Sequence, residues 1–166
     1  MLVVQSRSEP VPHWDEELEM TFEQRSKARL RTMVRSGEEI GIFLPRGGVL
    51  RDGDFLRADD GRVVRVCAAA EELMEARCSD PALLARAAYH LGNRHASVQV
   101  LSGAVRFPAD TVLAQMLDGL GIGVNVVHQS FDPEPGAYGG GSHQHSAEAR
   151  HSGRIHDFAP RTETAR

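Results

Sequence analysis

Among the side chains of this 166-residue chain that could do chemistry, the histidines are the ones placed to act together. His95 closes the run Tyr89-His90-Leu91-Gly92-Asn93-Arg94-His95, where a turn-like Gly-Asn interrupts an apolar helix. A second set follows a glycine-rich stretch, Gly139-Gly140-Gly141-Ser142-His143-Gln144-His145, with His151 and His156 further on. Imidazole ligates divalent transition ions when neutral, and the i, i+2 spacing of His143 and His145 lets both rings reach one ion from a flexible chain. One fixed histidine plus several mobile ones suits an ion that is bound and later given up.

The remaining candidates read as structural. His90 lies one turn before the Gly-Asn stop and is expected to pack. His128 falls at the end of the last predicted strand, and His13 beside Trp14 belongs on the surface. Cys67 and Cys78 are the only cysteines, form no CxxC pair, and sit in strand-like contexts where a thiol behaves as a small hydrophobe. No Gly-rich phosphate loop followed by Lys-Ser or Lys-Thr occurs, so any nucleotide belongs to a partner. Asn93 and Arg94 are a residue pair that some acyl-phosphate hydrolases use. Here the better reading puts Asn93 in a left-handed turn and Arg94 in a nearby pair. The run Arg25-Ser26-Lys27-Ala28-Arg29-Leu30-Arg31 reads as a basic strand edge, solvated or docking an acidic partner.

The elements that must position these residues come in two kinds. The first half is β-like. Leu18 to Phe22 is a short apolar run, Ala28 to Val34 alternates with period two, and Ile40 to Leu44 stops at Pro45. Phe55-Leu56-Arg57 and Arg62 to Cys67 flank the hairpin turn Asp59-Asp60-Gly61. Short strands with frequent turns predict a small all-β barrel or sandwich over residues 1–70.

Beyond residue 70 the pattern changes. Leu73 to Cys78 is a strand, and Asp80-Pro81 supplies an N-cap and a first-turn proline. Leu83, Leu84, Ala87, Ala88 and Leu91 then recur at helical spacing up to Gly92. Two strands follow, from Ser97 to Leu101 and from Ala104 to Phe107. A helix opened by Pro108 and stopped by Gly119 and Gly121 leads to a last strand from Val124 to Val127. The order β-α-β-β-α-β predicts a ferredoxin-like domain over residues 71–138, giving an α+β protein of two domains. From Asp132 onward the composition turns to proline, glycine and polar residues, and a disordered tail over residues 139–166 is expected.

Composition narrows the function. The formal charge of −4 argues against a nucleic-acid binder. Two cysteines exclude a disulfide scaffold and favour a reduced, cytoplasmic setting. No apolar run is long enough for a signal peptide or a membrane span.

The run ending at His95, followed by Gln99, resembles the centre of the UreE-type urease accessory proteins. Further matching pieces are Leu44-Pro45-Arg46-Gly47, Arg51-Asp52-Gly53-Asp54, Arg77-Cys78-Ser79-Asp80-Pro81, Asp110-Thr111-Val112-Leu113, Met116-Leu117 and Phe131-Asp132-Pro133-Glu134-Pro135-Gly136-Ala137-Tyr138. The resemblance implies a nickel metallochaperone, not an enzyme, that delivers Ni2+ for the dinuclear site of urease. It also implies an N-terminal domain of peptide-binding type, a homodimer through the second domain, and hand-off to a GTPase in the urease apoprotein activation complex. By position His95 matches the family's metal ligand, one from each subunit, with His143 and His145 in the region of the histidine-bearing tail. Zn2+ and Cu2+ should compete, since imidazole suits all three ions and Cu2+ binds most tightly. Phe107-Pro108-Ala109-Asp110-Thr111 carries no histidine, so the peripheral metal site of some members is expected to be absent here. The rival reading is a peptide- or protein-binding chaperone in which metal is incidental.

Overall fold

The computed structural model describes residues 1–135 and is mixed α and β. Strand β1 (Leu2–Ser8) is followed by β2 (Glu16–Met20), the one-turn helix α1 (Phe22–Arg25), β3 (Arg29–Met33), β4 (Glu39–Phe43), β5 (Phe55–Ala58) and β6 (Val63–Ala68). These six strands form one sheet in the order β2-β6-β5-β1-β4-β3. Two of its pairings are parallel, β1 with β4 and β2 with β6. One core collects Leu18 and Met20 from one edge, Leu2, Val4, Ile40, Ile42, Leu56, Val64 and Val66 from the middle, and Leu30 from the other edge. A single sheet can place both edges on one core only by curling. Near its open seam the Arg35 N–H donates to the Glu17 carbonyl at 2.8 Å. The N-terminal half therefore forms one curled six-stranded sheet, where a small barrel or sandwich was expected.

Three local expectations in this half need correction. Strand β1 was not anticipated, yet Leu2 and Val4 are buried and it sits between β5 and β4. Phe22 does not extend a strand. Thr21 accepts from the Gln24 N–H while the Gln24 side chain accepts from the Thr21 N–H, and this capping box turns the chain into α1. Arg25 is consequently not on a strand edge but fully buried at the end of that turn.

The second sheet contains β7 (Ala70–Arg77), β8 (Gln99–Leu101), β9 (Ala104–Pro108) and β10 (Val124–Ser130), in the order β10-β7-β9-β8 with every pairing antiparallel. Helices α2 (Pro81–Gly92) and α3 (Thr111–Gly119) complete the β-α-β-β-α-β order that the sequence predicted. Ala87 and Leu91 of α2, Leu113 and Leu117 of α3, and Ala76, Val105 and Phe107 of the sheet share a second core. Burying each of the larger side chains stabilises the fold by about 1.5–3 kcal/mol. Asp80 caps α2 as predicted, accepting from the N–H groups of Ala82 and Leu83. Pro108 does not open α3. It ends β9 opposite Leu73, and Asp110 is the cap, accepting from Val112 and Leu113.

The two sheets follow one another with only Ala69 between β6 and β7. Residues 131–135 are docked against the N-terminal sheet, although from Asp132 onward the proline, glycine and polar composition pointed to disorder. Phe131 is fully buried with its ring edge-on to Phe22 at 5.4 Å. The buried Arg25 guanidinium donates to the Leu50 carbonyl at 2.9 Å and to the Phe131 carbonyl. Arg51 donates to the Asp132 carboxylate and to the Pro133 carbonyl. A buried guanidinium bound only to carbonyls and a half-exposed carboxylate has no room to lose a partner.

Candidate metal centre

The sequence run around His95 folds as a helix end with an unusual occupant. The Ala96 N–H reaches back to the Leu91 carbonyl at 3.2 Å, and the His95 N–H to the Gly92 carbonyl at 2.9 Å. This pair of bonds is the Schellman arrangement, whose penultimate position needs a left-handed backbone. His95 supplies it with φ of 56°, and it is the one non-glycine residue with positive φ among the described residues. The predicted left-handed residue was Asn93, which instead has φ of −63° and remains helical. Leu91 is fully buried and Ala96 packs partly beside the same core, so the bend is anchored from below. The imidazole of His95 is exposed.

Its neighbours do not complete a site. His90 is half-buried, with its ring edge-on to Tyr89 at 5.4 Å. Arg94 donates to the His90 carbonyl at 3.2 Å, covering one of the free carbonyls of the helix end. No group of three or more His, Cys, Asp or Glu residues is placed to hold a metal among the described residues. His143 and His145, like His151 and His156, lie outside the described residues. One feature bears on them nonetheless. Glu134 donates its N–H to the Val98 carbonyl at 2.8 Å, so the chain leaves for the tail from beside the loop that carries His95.

The other candidates separate cleanly. His13 is exposed, as expected. His128 is not structural. It lies within β10, exposed, opposite Glu72 of β7. Cys78 packs partly against the second core. Cys67 lies in a less apolar setting than its strand suggested. Burial, and then the Glu17 carboxylate, push its thiol up against the opposing charge of Arg65, with lesser help from Asp52 and Glu19. A protonated thiol is a poor ligand. Asn93 is the C-cap of α2, its N–H bonded to the Tyr89 carbonyl, and Arg94 donates to the His90 carbonyl, so both serve the helix end.

Glu75 was missed by sequence reasoning, because a single glutamate in a strand carries no signal of its partners. It is buried on β7, hydrogen-bonded to Arg106 at 2.7 Å and also to Arg77. The Arg106 guanidinium, and then Arg77, hold its carboxyl below the usual range despite burial.

The model of the UreE urease accessory protein N-terminal domain matches residues 4–69, and that of the C-terminal domain matches residues 71–159. The chain belongs to the UreE family. It is 50% identical over 165 residues to the urease accessory protein UreE of Pseudomonas savastanoi pv. phaseolicola, covering 97% of this chain and 99% of that one. The UreE proteins of Ectopseudomonas mendocina and Azotobacter vinelandii are 50% and 48% identical over the same coverage. This is a family of urease accessory proteins and not of enzymes. No helix among the described residues is long and apolar enough to cross a membrane.

Several pieces that carried the UreE resemblance have plain structural work. Asp80 and Asp110 cap the two helices. Asp54 accepts from the Arg51 N–H at 2.9 Å and from Arg7 at 2.9 Å, closing a turn in which Gly53 has φ of 82°. Phe131 and Asp132 form the docked strap. Among the described residues of this chain, only the His95 stretch is both exposed and held in a left-handed backbone by a non-glycine residue.

Proposed function

We propose that this chain is a nickel-binding metallochaperone that delivers Ni2+ during maturation of the urease active site, acting as a homodimer within a GTPase-containing activation complex. The observation that carries the reading is His95: exposed, fixed at a left-handed helix end, and part of no group of three or more metal-ligating residues among the described residues. An isologous two-fold interface brings the same residue from two copies face to face and turns half a site into a platform of two imidazoles. His143 and His145 then supply the remaining ligands together with water. From Glu134, held beside Val98, the nine residues to His143 reach roughly 30 Å when extended, ample for a ring at His95. Such a site binds without caging, which suits cargo that must leave. Zn2+ and Cu2+ compete for the same nitrogens.

In this reading residues 1–70 form a partner-binding β-domain, residues 71–138 a ferredoxin-like domain for metal and dimerisation, and residues 139–166 a histidine-bearing tail. The strand order β10-β7-β9-β8 supports the ferredoxin-like assignment. A cytoplasmic location fits the free thiols of Cys67 and Cys78.

Equilibrium dialysis with Ni2+ on the wild type, His95→Ala and a chain ending at Tyr138 tests the reading. The wild type should bind with one shared site per dimer, His95→Ala should lose it, and the shortened chain should keep a weaker site. Full affinity and stoichiometry in His95→Ala would refute the central claim. The rival, a peptide chaperone with incidental metal, gains if His95→Ala still supports urease activation at limiting nickel while removal of residues 1–70 does not.

A further inference from the structure

The two sheets end on the edge strands β2, β3, β8 and β10, and the first three are guarded. β2 carries Glu16, Glu17 and Glu19 and lies at the curled seam, where the Glu17 carbonyl already accepts from Arg35. β3 carries Arg29 and Arg31. β8 is only three residues long, and the strap reaches its approach through the bond from Glu134 to the Val98 carbonyl. Charge, brevity and cover keep an open edge from pairing with another chain. β10 has none of them. It runs for seven residues, Val124-Asn125-Val126-Val127-His128-Gln129-Ser130, with no proline and no Lys, Arg, Asp or Glu. Its inner side pairs with β7 along its whole length. Among the described residues its outer side takes part in no backbone hydrogen bond. Val126 stands 62% exposed on this strand.

The composition of the edge selects its occupant. Three valines favour an extended, paired backbone. A chain of formal charge −4 repels its own copies, so copies meet best where the surface is neutral. We propose that β10 pairs with β10 of a second copy, antiparallel about a two-fold axis at Val127, joining the two four-stranded sheets into one. This register uses the whole strand. It sets Val126 opposite the second copy's His128, Asn125 opposite its Gln129, and Val127 opposite its own mate. With the β7 pairing added, one face reads Met74, Val126, His128, Glu72 across the seam, and the other reads Glu75, Asn125, Gln129, Glu71. The exposed Val126 is covered, amide meets amide, and no like charges stand directly opposite. β10 and β8 are opposite edges of the sheet, and the His95 loop leads into β8. The pairing therefore uses the edge away from the histidine, and the inference does not rest on the metal reading.

The test is sedimentation velocity and thiol cross-linking of the full chain in chelator-containing buffer. Val126→Lys places a charge on the edge and should weaken self-association about ten-fold or more. Over that concentration range the wild type should sediment as the assembly and the variant as half of it. Met33→Lys, equally exposed at 63% but on β3, should behave as the wild type. With Cys67 and Cys78 replaced by alanine, Val127→Cys should form a disulfide between copies, with oxidised glutathione as electron acceptor. Opposed residues of an antiparallel pair have Cα atoms about 4.5–5.5 Å apart, within bridging range. Asn125→Cys, which faces Gln129 instead of its own mate, should not cross-link. A chain ending at Tyr138 should associate as the wild type does. Circular dichroism checks the folding of each variant, and the cross-linking pair decides alone should Val126→Lys not fold. Equal masses for wild type and Val126→Lys at every concentration would overturn the proposal. So would cross-linking of Val127→Cys no faster than of Asn125→Cys, or loss of association on removing the tail.

Discussion

The two long helices of the C-terminal half end on the same hydrogen-bond pattern and differ in one residue. After α3 the Ile122 N–H reaches the Leu117 carbonyl at 3.0 Å and the Gly121 N–H the Asp118 carbonyl at 2.8 Å, with Gly121 at φ of 83°. After α2 the matching donors are Ala96 and His95, with His95 at φ of 56°. Glycine adopts this backbone without a Cβ penalty, whereas an L-residue gives up roughly 1–2 kcal/mol there. Histidine is among the types that tolerate it best, but tolerance is not preference. The α3 end is therefore the solution that stability alone selects. The α2 end keeps the same frame and holds an imidazole outward at a local cost, and strain of this kind gathers at functional positions.

The largest effects should be shared by both ends, because both motifs rest on a leucine in one core. Leu91 and Leu117 are each fully buried. Leu91→Ala and Leu117→Ala should each cost about 3 kcal/mol in urea unfolding at fixed protein concentration. Matching losses would confine the difference between the ends to the left-handed residue. A cost for Leu91→Ala below about 1 kcal/mol would mean that the α2 end is not anchored and that His95 is not held in place.

The helices were readable from Asp80-Pro81, from apolar spacing and from Gly92 and Gly121, since caps and periodicity are local. His95 was readable as a candidate, but not as the left-handed residue. Asn93 is the better left-handed former, and only the tertiary seating of Ala96 against the core moves the bend two residues along. β1 was missed because a strand is certified by its partners, which here lie at residues 40–42 and 55–58. Asp132 read as the start of a loose tail, and Phe131 before it carried no sign of its packing, because prolines and glycines follow them. Their partners, Phe22, Arg25 and Arg51, lie about a hundred residues away in the chain.

A second prediction concerns the sheet beneath both helix ends and should not distinguish them. Glu75→Gln removes a buried carboxylate from Arg106 and Arg77 and should cost about 2 kcal/mol near neutral pH. The carboxyl of Glu75 is depressed from its ordinary value of 4.5, so its contribution is complete above that value. It is lost as pH falls through the depressed value, and the gap between wild type and Glu75→Gln should close there. Unfolding free energies measured from pH 7 down to pH 3 check this. A gap that persists unchanged in acid would show that packing, not charge, sets the cost.

Smaller still is the direct test of the glycine end. Gly121→Ala meets open space, with no atom within 4 Å of the added Cβ, so its cost comes from the backbone alone. It should be about 1–2 kcal/mol. A neutral Gly121→Ala would show that the left-handed turn relaxes freely in this fold, and the strain argument for His95 would fall with it.

The smallest stability effect is expected at His95, and it is the most telling. Replacing His95 by glycine relieves the left-handed strain but adds backbone freedom to the unfolded chain, an opposing contribution of about 0.4–1 kcal/mol. The two nearly cancel, so His95→Gly should be neutral or up to about 1 kcal/mol more stable, read from the urea midpoint at unchanged slope. The same variant should lose the shared nickel site. Loss of binding with no loss of stability is the signature of a residue kept for a ligand, since nothing in the fold then requires the imidazole. A destabilisation beyond about 1 kcal/mol would reverse that conclusion. His95 would then hold the helix end by contacts of its own, and its left-handed backbone would be a consequence of packing rather than a conformation retained for the metal.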